Sequence, residues 1–86
     1  MRDKNISVRV KFFSDIDKEI KLRDYDPGKG IIMTISPGKR LKYLLKSAGV
    51  NTSYPYLYLR DGRRITRWTK LRDGDEITIL KPSGGG

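Results

Sequence analysis

The sequence predicts one small α+β domain: an α+β roll in which a mixed sheet of four to five strands packs on one main helix. Three observations lead there. Short runs of apolar residues alternate with polar ones, the period of half-buried strands. One stretch instead places Leu41, Leu44, Leu45 and Ala48 at helical spacing, i, i+3, i+4 and i+7. A chain of 86 residues has room for a single core.

Taken in order, Ile6, Val8, Val10 and Phe12 alternate with polar residues and make a first strand. Residues 14–22 read two ways. Ser14-Asp15 can cap a short helix carrying Ile16, Glu19 and Ile20, or Ile20 and Leu22 can open a second strand. Residues 23–30 form a loop around the turn signal Pro27-Gly28, and Gly30 to Ile35 is a strand rich in β-branched residues. Ser36-Pro37-Gly38 reads as a helix start, with Ser36 as cap and Pro37 at the first helical position. Gly49 is the expected stop. Tyr56 to Arg60 is a strand with Leu57 and Leu59 expected inward, so that Tyr56, Tyr58 and Arg60 point out. Asp61-Gly62 is a hairpin turn, Arg63 to Ile65 a short return strand, and Asp73-Gly74 a further turn. Glu76 to Leu80 is the last strand, with Ile77 and Ile79 inward and Thr78 and Leu80 outward. Residues 1–80 are thus the domain, and 81–86 a flexible tail ending in glycines.

Composition narrows the chemistry. There is no Cys and no His, which removes disulfides, thiolate or imidazole metal sites, cysteine nucleophiles and His-based acid/base catalysis. No apolar run approaches the roughly 20 residues that cross a bilayer. The N-terminus leads directly into a strand pattern, so no signal peptide is expected. These features imply a cytoplasmic domain that binds or carries something, not an enzyme and without a bound metal.

The tail carries the most information. Glycine is thin and enters a narrow channel without steric cost, so Gly84, Gly85 and Gly86 would offer an unhindered carboxylate. Taken alone, such a run reads equally well as a linker-like end. Its position decides the matter. Asp73-Gly74-Asp75-Glu76, the strand Ile77 to Leu80, a short spacer and glycines resemble the C-terminal signature of the β-grasp sulfur carriers and ubiquitin-like modifiers. That group includes the small subunit of molybdopterin synthase, the thiamine-pathway sulfur carrier, the ubiquitin-related modifier and the archaeal small modifiers. Val10 to Phe13, Leu41 to Leu45 and Leu59 to Arg63 resemble its first strand, helix and strand–turn element. The chain departs from the pattern in its third glycine, its stronger basicity and the longer 23–30 loop.

The resemblance implies a β-grasp, ubiquitin-like fold and a definite use for the tail. An activating enzyme would use ATP to adenylate the Gly86 carboxylate. A lysine amine would then take the acyl group as an isopeptide, or sulfur would leave a thiocarboxylate of the tRNA-thiolation type. A dedicated sulfur carrier for molybdopterin or thiamine synthesis is the alternative. The chain would hold no cofactor of its own, and ATP would belong to the enzyme. Its partners would be that enzyme and a target lysine or sulfur acceptor, and it is expected to act as a monomer. Tyr58, Thr78 and Leu80, with Tyr56, would form the docking patch beside the tail.

The charge balance suggests a different class. Nineteen Lys and Arg against ten Asp and Glu leave a net charge of +9. Arg60, Arg63, Arg64, Arg67, Lys70 and Arg72 cluster around Trp68, a pattern that can contact a polyanion such as RNA. The plainer reading, and the favoured one, is a solvated basic rim with Trp68 packed down as a lid on the core.

Overall fold

The computed structural model describes residues 4–82. The elements are β1 (Ile6–Phe12), α1 (Ile16–Glu19), β2 (Ile31–Ile35), α2 (Leu41–Ala48), β3 (Leu57–Arg60), β4 (Arg63–Ile65) and β5 (Glu76–Leu80). They build one five-stranded sheet in the order β2-β1-β5-β3-β4. β1 and β5 run parallel at its centre, and the other neighbouring pairs are antiparallel. This is the mixed sheet and helix that the sequence predicts.

The alternation in β1 and β5 has a direct physical outcome. Val8, Val10, Phe12, Ile77 and Ile79 are fully or almost fully buried on one face. Leu41, Leu44 and Leu45 of α2 close that face, with Ile16 of α1 in the same cluster. Residues 14–22 therefore resolve as a short helix rather than a strand. Asp15 precedes α1 with φ 63°, and its side chain makes no capping bond. What anchors α1 is Ile16, which is completely buried.

α2 begins at Leu41, not at Pro37, and its cap is Arg40 rather than Ser36. The reason is tertiary. Gly38 takes φ 84° and turns the chain, and Arg40 then bridges Lys70. The first helical amides are satisfied by that distant segment: Leu41 N–H donates to Thr69 O (2.8 Å) and Lys42 N–H to Arg67 O (2.8 Å). These bonds replace the side-chain cap. Gly49 ends the helix as expected, at φ 86°.

Tyr25 closes the far end of β1, beyond the last β2 pair at Val10 and Ile31. Its hydroxyl accepts from Phe12 N–H and donates to Phe12 O (3.1 Å). Gly30 enters β2 where a Cβ would lie 2.5 Å from Val10 O, and its φ is +68°. Gly30→Ala should therefore destabilise the domain by about 2 kcal/mol or more, since the left-handed cost of roughly 1–2 kcal/mol is joined by a clash with immovable backbone. Gly49→Ala, which has open space around its Cβ, should show the conformational cost alone. Urea denaturation of both variants measures the difference.

Candidate functional site

The tail leaves the domain from the end of β5, and its root is fastened. Lys81 N–H donates to Ser14 Oγ (3.2 Å), and Lys81 Nζ donates to Glu19 Oε2. Glu19 Oε1 accepts from the Tyr56 hydroxyl (2.8 Å), and Lys81 Nζ lies 5.8 Å from the Tyr54 ring centroid. The left-handed residues Ser14 and Asp15 turn the chain so that the Ser14 hydroxyl and then Glu19 of α1 meet Lys81. Of this group, sequence reading singled out only Tyr56 for function, as part of the docking patch and not as a partner of Glu19. The signal available was weak: one carboxylate in a short helix whose partners lie tens of residues away. Gly84, Gly85 and Gly86 lie outside the described residues.

The clamp has a pH signature. Hydrogen bonds from Lys81 and then Tyr56 hold the Glu19 carboxyl below its ordinary value of 4.5. Burial, followed by the bond to Glu19, pushes the Tyr56 hydroxyl up to about 12. Glu19 is thus easier to ionise in the folded protein. Its contribution is present above the ordinary carboxylate value and is lost as pH falls through the lowered one. On acidification the Lys81 amide and Tyr56 ring resonances should shift together along the Glu19 titration. Glu19→Gln should abolish that coupled step, and a step that survives the substitution would exclude the clamp as its source.

β3 corrects the expected docking patch. Tyr56 and Tyr58 are buried, 8% and 7% exposed, whereas Leu57 and Leu59 are only half-buried. Strand register explains this. Tyr58 stands opposite Ile79 on the core face, while Leu57 stands opposite Leu80 and Leu59 opposite Thr78. β3 lies next to the sheet edge, where a tyrosine can bury its ring and still carry its hydroxyl to the boundary, as Tyr56 does at Glu19. Thr78 and Leu80 point away from the core, as expected, and are half-buried.

The open face of the sheet therefore carries Leu57, Leu59, Thr78 and Leu80 side by side. Phe13 extends it at the end of β1, 39% exposed, with its N–H on Ile79 O (2.9 Å). Lys11, opposite Thr78, and Arg64, opposite Leu59, flank the apolar group. Lys11 is paired with Glu76 at 3.3 Å. An apolar centre with charged flanks beside a tail root has the anatomy of a protein-docking surface.

The cationic candidates separate. Arg60 is an internal strut: its guanidinium pairs with Asp75 at 3.0 Å and donates to Lys70 O (3.1 Å), with the side chain 18% exposed. It is not placed to meet a polyanion. Asp75 Oδ2 also accepts from Arg72 N–H (2.8 Å), so Asp75→Ala should leave a half-buried guanidinium unpaired and cost about 1–3 kcal/mol, measurable by urea denaturation. Arg63 and Arg64 are exposed on β4, and exposed Arg67 donates to Thr52 O (3.1 Å). Trp68 is 52% exposed and so is no lid on the core. It sits on the turn at 67–68, where the Arg40 guanidinium donates to its carbonyl (2.7 Å).

No protein-family model and no curated protein matches the sequence. Solved structures do match in shape. A molybdopterin converting factor subunit 1 assignment from Pyrococcus furiosus superposes with TM-score 0.69 at 15% identity, over 91% of this chain and 99% of that one. Small archaeal modifier protein 1 of Haloferax volcanii gives 0.69 at 14% identity, over 91% and 99%. A further Haloferax volcanii protein gives 0.71 at 18% identity, over 100% and 92%. At these identities what is shared is the β-grasp fold, the one implied by the sequence resemblance.

Proposed function

We propose that this β-grasp chain is a ubiquitin-like carrier that works through its glycine tail, as a protein modifier, a sulfur carrier or both. The observation that carries the reading is one of continuity. β5, the central strand whose Thr78 and Leu80 help to form the open apolar face, leads directly to the clamped Lys81, and Pro82-Ser83-Gly84-Gly85-Gly86 follow it in the sequence. A partner that grips that face thereby receives the tail. The likeness to a modifier protein and to a converting-factor subunit supports the same reading.

The chemistry assigned to the chain is limited to supplying a carboxylate. A carboxylate at neutral pH is a poor electrophile. On a partner enzyme, the Gly86 carboxylate oxygen attacks the α-phosphorus of ATP, pyrophosphate leaves, and the acyl adenylate becomes reactive. A lysine amine then displaces AMP and forms an isopeptide, with loss of the amine proton. Hydrosulfide supplied on the partner can displace AMP instead: a C–S bond forms as the C–O bond to AMP breaks, the sulfur loses its proton, and a thiocarboxylate remains. The chain's own residues dock, present the tail and keep it slim; ATP stays with the partner. Use as a dedicated sulfur carrier is a second reading, favoured by the likeness to the converting-factor subunit.

Mass spectrometry of the protein from its native cells tests the proposal. Trypsin cuts after Arg72 and poorly at Lys81-Pro82, so a modified lysine would retain the segment from Asp73 to Gly86. That remnant establishes a modifier. Sulfur in place of a terminal oxygen on the free protein establishes a carrier. Finding neither overturns both readings.

A further inference from the structure

Away from the open sheet face, the surface combines three features that the tail chemistry does not use. The first is charge. Between Asp26 and Asp73 there are eleven Lys and Arg and a single acid, Asp61. Lys39, Arg40, Lys42 and Lys46 come together around one cleft of about 300 Å³ beside α2. None of these four forms an ion pair among the described residues. The second is Trp68, which lines that cleft and also a neighbouring one of about 270 Å³. Lys42 Nζ and Arg67 Cζ lie 4.8 and 5.2 Å from its ring centroid. The third is an unpaired polar group. The second cleft is lined by Tyr54, Tyr56 and Tyr58, and the Tyr58 hydroxyl is buried without a hydrogen-bond partner among the described residues.

We infer that these adjoining clefts bind a single-stranded nucleic acid. A run of phosphates meets the lysines of α2. One base stacks on Trp68, and a displaced Lys42 ammonium turns to the neighbouring phosphate. The next base enters the tyrosine cleft, where its edge pairs with the Tyr58 hydroxyl. The three features call for different parts of one ligand: repeated negative charge, a flat π surface, and a polar edge narrow enough to enter a cleft. A folded acidic protein can supply each feature singly, but only a single strand repeats charge, π face and polar edge at every unit. A duplex keeps its bases stacked away from both aromatic surfaces. Tyr54 connects this site to the tail root, since it lines the cleft and carries Lys81 over its ring. The inference stands whether or not the tail is activated.

Trp68 is the chain's only tryptophan, so its fluorescence reports the site directly. The full-length protein is titrated with a 12-nucleotide RNA of mixed sequence, the DNA of the same sequence, inorganic polyphosphate and poly-glutamate, across a salt series. Both oligonucleotides should quench Trp68, and the RNA-to-DNA ratio reads any preference for the ribose hydroxyl. Trp68→Ala, followed by anisotropy of a labelled oligonucleotide, should weaken binding about 5- to 150-fold. Tyr58→Phe should weaken it about 2- to 12-fold without changing the salt slope. Lys42→Ala with Lys46→Ala should lower that slope by about 1.4, or roughly 0.7 per phosphate contact. Circular dichroism of each variant establishes that the fold is kept. Equal binding by polyphosphate or poly-glutamate without base-dependent quenching would overturn the inference, as would full affinity in both Trp68→Ala and Tyr58→Phe.

Discussion

Removing Gly85 and Gly86 should abolish activation while leaving the melting temperature unchanged. The two parts of this result have separate causes. Every residue of the described core, from Val8 to Ile79, lies before the tail, so the deletion takes away none of those side chains. On the proposed function, however, the reacting carboxylate moves back by two residues, about 7 Å of extended chain. Attack on phosphorus needs the reacting atoms about 3–3.5 Å apart, and a 1 Å misplacement alone can cost roughly 100-fold. The shortened chain still ends in a glycine carboxylate, Gly84, so the loss would report reach rather than chemical type. Pyrophosphate exchange with the purified activating enzyme measures it. Full activity in the deletion variant would remove the tail from the mechanism.

Placing a charge in the middle of the open face should separate docking from folding just as sharply. Leu80→Glu and Leu59→Glu put a carboxylate among Leu57, Thr78 and Phe13, on a face that no described element covers. Both side chains are half-buried, so stability should fall by no more than about 1 kcal/mol. Association with the activating enzyme should weaken about 30-fold or more, the cost of disrupting an interface hot spot of 2 kcal/mol or above. Tyr58→Ala provides the contrast. Its ring packs in the core opposite Ile79, so its truncation should cost about 3–5 kcal/mol and compromise the fold itself. Calorimetric affinities read beside urea midpoints distinguish the two classes. If Leu59→Glu binds normally, the open face is not where the partner docks.

The reversal in β3 shows where sequence reading loses its hold. Alternation divides Tyr56, Tyr58 and Arg60 from Leu57 and Leu59, but it does not say which set faces the core. Hydropathy favours the leucines. The sheet decides otherwise, because pairing with β5 sets Tyr58 beside Ile79 and Leu57 beside Leu80. A one-residue shift in that register would exchange the two faces. Arg60 follows from the same choice: turned to the core side at the end of its strand, it is held by Asp75 rather than offered to solvent.

Local chemistry by itself determined a good deal. Period-two alternation specifies β1 and β5, the spacing of Leu41, Leu44, Leu45 and Ala48 specifies the buried side of α2, and Asp61-Gly62 takes the positive φ angles its hairpin requires, 52° and 79°. Each of these depends on neighbours only a few residues apart. The start of α2, the exposure of Trp68, the Ser14–Glu19–Tyr56–Lys81 clamp and the identity of the open face all rest on contacts between distant segments. Lys81 and Ser14, for example, are 67 positions apart along the chain. Such contacts follow from how the strands are ordered and registered, and only the folded sheet brings them together.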